Sequence, residues 1–347
     1  MSQDPVVPRI HILFRFRDGP WGGGNQFLKA LRVFLERQGC YEENAEQADI
    51  LLINSDQPSI LQFFLPLYRL KQRRPAPVVI LRLDGPMCLG RDQPVDVHLD
   101  RMGYALSRWV CDGTVIQSTW SRDRALERGL RLPAAVQVLP NAPDPNLFHA
   151  IGRAPCAPER KPRLLAASWS SNWRKGFETY RWLDRNLDFD RYDMTFIGNA
   201  PLTFERIRHL PPMSSAELAT ALRQHDLFIS AATRESCPNS VIEALHCGLP
   251  VVAKRDGGQS GLVGQGGELF DHPEEIPALL ERVVADLEGY RQRIQVPTLD
   301  QVGRAYLDFM VRAWEESGRG ARAKPFRLAT RLALQLRLAW WRRLKPG

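Results

Sequence analysis

The residues best suited to chemistry lie in RESCPNSVIEALHCGLPVV (234–252), which follows the apolar run DLFISAA and ends on Gly248-Leu249-Pro250. Glu235 falls in the turn at the end of that run, and Glu243 about two turns into the helix that follows. Carboxylates eight apart lie near one helical face, but a Glu235 that precedes the helix reaches into the crevice at the strand's end. Backbone N–H groups around Asn239 and Ser240 then head a helix, where unpaired donors and the helix dipole favour an anion such as phosphate. Two surface glutamates around an ordinary helix start are the bland alternative.

Upstream, in RLLAASWSSNWRKGFETYRWLDRNL (163–187), a strand ends in a polar turn, and Arg174, Lys175 and Gly176 open a helix. Two cations at the positive end of a helix are unfavourable by themselves, which argues for a negative ligand rather than solvated charges. Gly22, Gly23 and Gly24 form a turn between the first apolar run and a helix, and permit close backbone approach to a ligand. The pattern is not G-x-G-x-x-G, and no acidic residue ends the second strand, so a dinucleotide fingerprint is not supported. RLDGPMCLGRD (82–92) places Arg82 and Asp84 at the end of the third strand, with Arg91 beyond. Asp84 suits a hydroxyl, and Arg82 or Arg91 an anionic group; a structural Arg82–Asp84 ion pair is the other reading. Two weaker signals are FIGNAP (196–201), whose glycine ends a strand, and HLPPMSS (209–215), which suits a base pocket.

These groups need elements to hold them. Short apolar runs at 10–16, 48–54, 77–83, 112–118 and 136–140, then 163–168, 192–198, 226–232 and 250–254, alternate with amphipathic helical patterns. Near-continuous apolar strands between helices predict parallel sheets covered on both faces. The proline-rich segment 150–163 separates five strand candidates from four and reads as a linker. Two Rossmann-like halves facing a cleft are the expected architecture. The expected boundaries are 1–150, a linker at 151–163, a second domain at 164–317 and a basic tail at 318–347.

The 234–252 segment resembles the donor-binding signature of glycosyltransferase family 4, a retaining family of GT-B fold, with its two glutamates separated by seven residues. The resemblance spans roughly residues 10–315, and the R-x-D-G-P turn resembles a subset of the family. It implies that Glu235 contacts the donor sugar and Glu243 the nucleotide ribose, with Asn239 and Ser240 nearby. Lys175, with Arg174, would hold the diphosphate, faced by the glycine turn at Gly23 and Gly24. Catalytic roles fall to Glu235, Lys175 and Asp84, and acceptor-side roles to Arg82, Asp84 and Arg91. Family members often carry an arginine six residues before the lysine; here the position is Trp169. The implied activity is retaining transfer of a hexose from a nucleotide-sugar to an acceptor hydroxyl, with no metal and no cofactor. Envelope or exopolysaccharide glycan synthesis, on a glycan or lipid-linked acceptor, is the setting it suggests. A non-catalytic nucleotide-sugar or membrane-surface binding protein is the alternative, with a GT-B-like epimerase or phosphorylase as a further rival. A retaining glycosidase would need two carboxylates about 5 Å apart flanking one bond, whereas these two grip different parts of one donor.

Composition bounds the rest. With 44% apolar and 25% charged residues among 347, the chain is an ordinary packed protein of about two domains. Its net charge of +8 is local: nine basic and no acidic residues lie between Arg319 and Lys345, and elsewhere the charges nearly cancel. No nucleic-acid groove is indicated. Six scattered cysteines without C-x-x-C, and no leader-like N-terminus, fit the cytosol. Within the tail, Arg327, Arg331, Arg337 and Arg342 cluster on one side of a helical wheel, roughly opposite Leu328, Leu332, Leu336 and Trp340. Such a helix reads as an interfacial anchor on an anionic membrane, or as one that docks on the first domain.

Overall fold

The computed structural model describes residues 7–19, 22–55, 57–91, 93–131, 135–155 and 159–344; Cys156 and Lys345 lie outside them. The chain divides into two compact units. The first gathers the chain up to Phe16, then Leu28–Pro140 and everything from Asp300 on; the second comprises Arg17–Phe27 and Asn141–Leu299.

In the first unit, β1 (Ile10–Leu13), α1 (Gly23–Arg37), β2 (Ile50–Asn54), α2 (Gln57–Leu70) and β3 (Val78–Leu83) lead to the short α3 (Met87–Gly90). Then come α4 (Val97–Trp109), β4 (Gly113–Ile116), α5 (Thr119–Glu127) and β5 (Ala135–Val138). The five strands pair in chain order, all parallel, with Ile50 opposite Val78 and Ile80 opposite Gly113. Every residue of the three central strands β2, β3 and β4 is buried, as strands covered on both faces must be, while the edge strand β5 is half-buried. Ser118 caps α5 by accepting from the Ser121 N–H at 3.1 Å.

The second unit runs β6 (Arg163–Ser168), α6 (Phe177–Asn186), β7 (Asp193–Gly198), β8 (Arg208–Leu210), α7 (Ser215–Arg223), β9 (Leu227–Ser230), α8 (Asn239–His246) and β10 (Val251–Lys254). It closes with α9 (Gln259–Val263), β11 (Gly267–Phe270), α10 (Ile276–Ala285) and α11 (Leu287–Gln292). Its six parallel strands lie in the order β11-β10-β9-β6-β7-β8. One face packs Phe177, Tyr180 and Leu183 of α6 with Leu280 and Val283 of α10; the other packs Leu222 of α7 with Val241 and Leu245 of α8. The chain moves outward from β6 to β8 and then returns to β9 on the far side of β6. Between β6 and β9 the winding direction therefore reverses, and the loops leaving these two strands part to open a crevice.

Two helices complete the chain, α12 (Leu299–Glu316) and α13 (Leu328–Leu344). The expected second domain, 164–317, extends too far, because α12 groups with the first unit. Phe309 sits where Gly113 leaves room beside Ile80, and Gly303 lets Phe34 of α1 close against the helix. Arg37 meets Asp300 at 2.8 Å, and Arg312 donates to Gln137 at 3.1 Å. Residues 17–27 likewise fall outside the unit that holds the rest of 1–140. On the opposite side of the first sheet, α13 lies against α2 and α4, burying Leu334, Leu338 and Trp341 in a core with Leu67, Leu99 and Met102. The indole N–H of Trp341 donates to Asp96 at 3.4 Å. Among the described residues, no helix is long and apolar enough to cross a membrane.

Candidate active site

A cavity of about 270 Å³ opens at the point where the second sheet reverses direction, and every residue of its wall belongs to the second unit. Lys175, Glu235, Asn239, Ser240 and Glu243 all contribute to that wall.

Local sequence explains each placement. After β6, Asn172 accepts from the Arg174 N–H at 2.9 Å and caps a single tight turn that carries Arg174 and Lys175. Gly176 follows with φ 92°, and a Cβ there would fall 2.3 Å from the carbonyl oxygen of Ala231. A glycine is thus required for the turn to lie against the end of β9. Thr233 seals this contact, its N–H donating to the Arg174 carbonyl at 2.8 Å. Lys175 and Glu235, sixty residues apart, meet as an ion pair.

Glu235 is held from behind. Arg234, just before it, adopts φ 57°, a strained setting for a side-chain-bearing residue that tends to gather at functional sites. The Gly258 N–H donates to the Glu235 carbonyl at 2.7 Å, and a Cβ on Gly257 would stand 2.5 Å from the same oxygen. Gln259, fully buried, donates to the carbonyls of Ala232 and Lys254 at 2.7 Å each and accepts from the Ser230 hydroxyl. The loop KRDGGQSGLVGQGG (254–267), rich in glycine, is therefore the bracket of the site. Gln259 escaped sequence reading, since a glutamine among glycines gives no sign of burial.

Asn239 and Ser240 are the first two residues of α8, and their N–H groups have no partner within the helix. Gly23, at the start of α1, approaches so closely that a Cβ would overlap the Asn239 side-chain amide. Asn141 donates to the Asn239 side-chain oxygen at 3.0 Å and steadies it. Gly22, Gly23 and Gln26 join the wall, whereas Gly24 and Arg174 do not. Trp169 does, with about half of its surface exposed. Gly198 of FIGNAP and Pro212, Met213 and Ser215 of HLPPMSS line the cavity too, together with Leu218. Burial pushes the Glu243 carboxyl up to about 8 and draws the Lys175 ammonium down to about 8.

In the first unit, Arg82 is fully buried at the end of β3. Its guanidinium donates to Asn54 at 2.6 Å and to Asp84, while Asn54 and Gln117 donate to the Asp84 carboxylate at 2.9 and 2.6 Å. Ser55 accepts from the Asp84 N–H at 2.9 Å. Arg82 thus positions Asp84 and has no surface to offer an anion, which corrects its expected acceptor-side role. Asp84 keeps about a quarter of its side chain exposed. Arg91, half-exposed, stands 3.8 Å from Asp96. Asn54 and Gln117 were missed, although each lies at a strand's C-terminal edge, where ligands of parallel sheets bind.

Comparison with known proteins bears on the fold and on the second unit. Residues 194–287, which include both glutamates, match the family "Glycosyl transferases group 1". A curated relative, D-inositol 3-phosphate glycosyltransferase of Paenarthrobacter aurescens (strain TC1), is 35% identical over 97 residues. That match takes in 27% of this chain and only 24% of the relative. The Anabaena HepE structure in complex with UDP-glucose superposes with a TM-score of 0.60 at 15% identity, covering 96% of this chain and all of that one. WaaG, a glycosyltransferase involved in lipopolysaccharide biosynthesis, gives 0.62 at 13% identity over 87% of this chain and 99% of its own. The fold is GT-B. In this GT-B chain the family match lies wholly in the second unit, and Lys175 falls outside it.

Proposed function

We propose that the chain is a retaining glycosyltransferase that moves a hexose from a nucleotide-sugar to an acceptor hydroxyl. The observation that carries this reading is the meeting of Lys175, Glu235 and the head of α8 in one cavity at the reversal of the second sheet, with Glu243 in the same wall. A nucleoside diphosphate fits these groups. Its base takes the part lined by Gly198, Pro212 and Met213, its ribose hydroxyls donate to Glu243, and its phosphates lie against the N–H groups of Asn239 and Ser240. Lys175 exchanges its partner Glu235 for the diphosphate, which frees Glu235 to accept from the sugar hydroxyls.

In the transfer, the bond from the anomeric carbon to the diphosphate oxygen breaks and the acceptor oxygen takes its place. Charge builds on the departing phosphate, where a fixed ammonium and a helix N-terminus stabilise it. Asp84, aimed by Arg82, Asn54 and Gln117, is the acceptor-side group of this reading, with Arg91 a second acceptor-side group beside Asp96. No metal or cofactor is assigned a part. A glycan or lipid-linked acceptor in envelope or exopolysaccharide synthesis suits a chain whose structural neighbours include WaaG.

The test is thermal stabilisation by UDP-, GDP-, ADP- and dTDP-sugars, followed by turnover with the donor that binds. Binding to the folded state alone raises the melting temperature. A shift with one donor that disappears in Glu243→Ala, and turnover that disappears in Glu235→Ala, is the expected result. A shift without turnover would instead assign a nucleotide-sugar binding protein, and no shift with any donor would sink the reading.

A further inference from the structure

The exposed side of α13 is unlike the rest of the surface. Its inner seam is spoken for by Leu334, Leu338 and Trp341, so the helix lies flat on the first unit. Outward, at every fourth residue, Leu328, Leu332, Leu336, Trp340 and Leu344 form a ridge that solvent reaches, with Leu336 72% and Trp340 55% exposed. This is the leucine and tryptophan side of the helix, left uncovered although the helix is docked. Isolated exposed leucines are ordinary, but a continuous apolar ridge on a docked helix is not.

Charge identifies what covers it. Arg337, Arg342 and Arg343 flank the ridge and are exposed. The two helices on either side add Arg69 of α2 and Arg101 and Arg108 of α4, also exposed. Across all three helices the only acidic residue is Asp100, and it is buried, accepting from the N–H groups of Met87 and Cys88. In a chain whose charges otherwise nearly cancel, the described residues of these three helices expose apolar and cationic groups and no anionic one.

We infer that the α2–α4–α13 face docks on an anionic lipid surface, with α13 parallel to it and Leu332, Leu336 and Trp340 entering the acyl boundary. A tryptophan among leucines suits that depth, and the flanking arginines stay at the headgroups. The inference is independent of donor chemistry, because it concerns the first unit's outer face alone.

Flotation of the full chain with vesicles tests it. Phosphatidylcholine mixed with phosphatidylglycerol is expected to carry the protein up, and phosphatidylcholine alone is not. Leu336→Asp should weaken partitioning about tenfold or more, since it removes a leucine that enters the acyl boundary and adds a repelled charge. Arg337→Glu and Arg342→Glu should each weaken it by about fivefold or more, and added salt should weaken it for every variant. Melting temperatures and nucleotide-sugar binding of these exposed-site variants should match those of the parent. Equal flotation of Leu336→Asp, or no flotation of the parent with anionic vesicles, would overturn the inference. A concentration-dependent dimer that Leu336→Asp abolishes would assign the ridge to a second copy and overturn it as well.

Discussion

At the scale of single residues, the site pairs two groups whose surroundings move them towards each other on the pH axis. Glu243 is raised to about 8 and Lys175 lowered to about 8 by the same cause, burial in one cavity. A ribose diol is held more strongly by a carboxylate than by a neutral carboxyl, because hydrogen bonds to a charged acceptor are the stronger ones. Donor affinity should therefore rise as pH approaches 8 and Glu243 loses its proton. Above that value Lys175 loses its charge and its hold on the diphosphate, so affinity should fall again. Titration calorimetry across this range should give a peak near 8. Glu243→Gln should flatten the rising limb, and Lys175→Arg should push the falling limb upward, because a guanidinium stays charged. A monotonic profile would contradict the assignment. Lys175→Ala should lower kcat by about a hundredfold to a thousandfold, the usual cost of removing one group that stabilises developing negative charge.

At the scale of elements, the site depends on turns more than on helices and strands. Gly176 alone allows the turn carrying Lys175 to rest on Ala231. Gly176→Ala should cost about 1–3 kcal/mol of stability in urea unfolding and should weaken donor binding, because Lys175 moves with its turn. A variant with parent-like stability and affinity would show the contact to be dispensable. The same dependence explains what was legible beforehand. All nine expected strands form, because short runs dominated by apolar and β-branched residues between turn signals leave few alternatives. β8 and β11 were missed for a physical reason: β8 has three residues, two of them exposed, and β11 is a half-buried edge strand. Glu235, Glu243 and Lys175 announced themselves through helix starts and charge. Gln259, Asn54 and Gln117 did not, since their work consists of hydrogen bonds between segments far apart in sequence.

At the scale of the whole molecule, the sequence revealed two parallel-sheet halves but not which segments complete them. The proline-rich stretch at 150–163, expected as the linker, lies inside the second unit; the chain crosses upstream of it, between Pro140 and Asn141, and the other crossings lie within helical or turn sequence that carries no mark. Helix α12 reads as one more amphipathic helix wherever it packs. The tail has two apolar lines rather than one, and composition alone cannot say which is inward. Leu334, Leu338 and Trp341 proved to be the inner line, so the basic tail is also a structural part of the first unit. Trp341→Ala should destabilise that unit by about 3–5 kcal/mol, as large-to-small changes at buried aromatics do. Denaturant unfolding followed by a probe in each unit should show the early transition in the first. Loss confined to the second unit would contradict the packing described.

Because the first unit needs residues from both ends of the chain, the order of synthesis and the order of completion are opposed. By the time a ribosome has added Leu299, every strand and helix of the second unit has been made, whereas the first still lacks α12 and α13. Its sheet then waits with Ile80 uncovered on one side and Leu99 and Met102 on the other, the places that Phe309 and the tail will occupy. Domains commonly mature from the N-terminus during translation; here the middle of the chain is finished first. A nascent chain stalled just short of Asp300 is accordingly a half-closed client for chaperones, and the residues of α12 and α13 are the ones that release it.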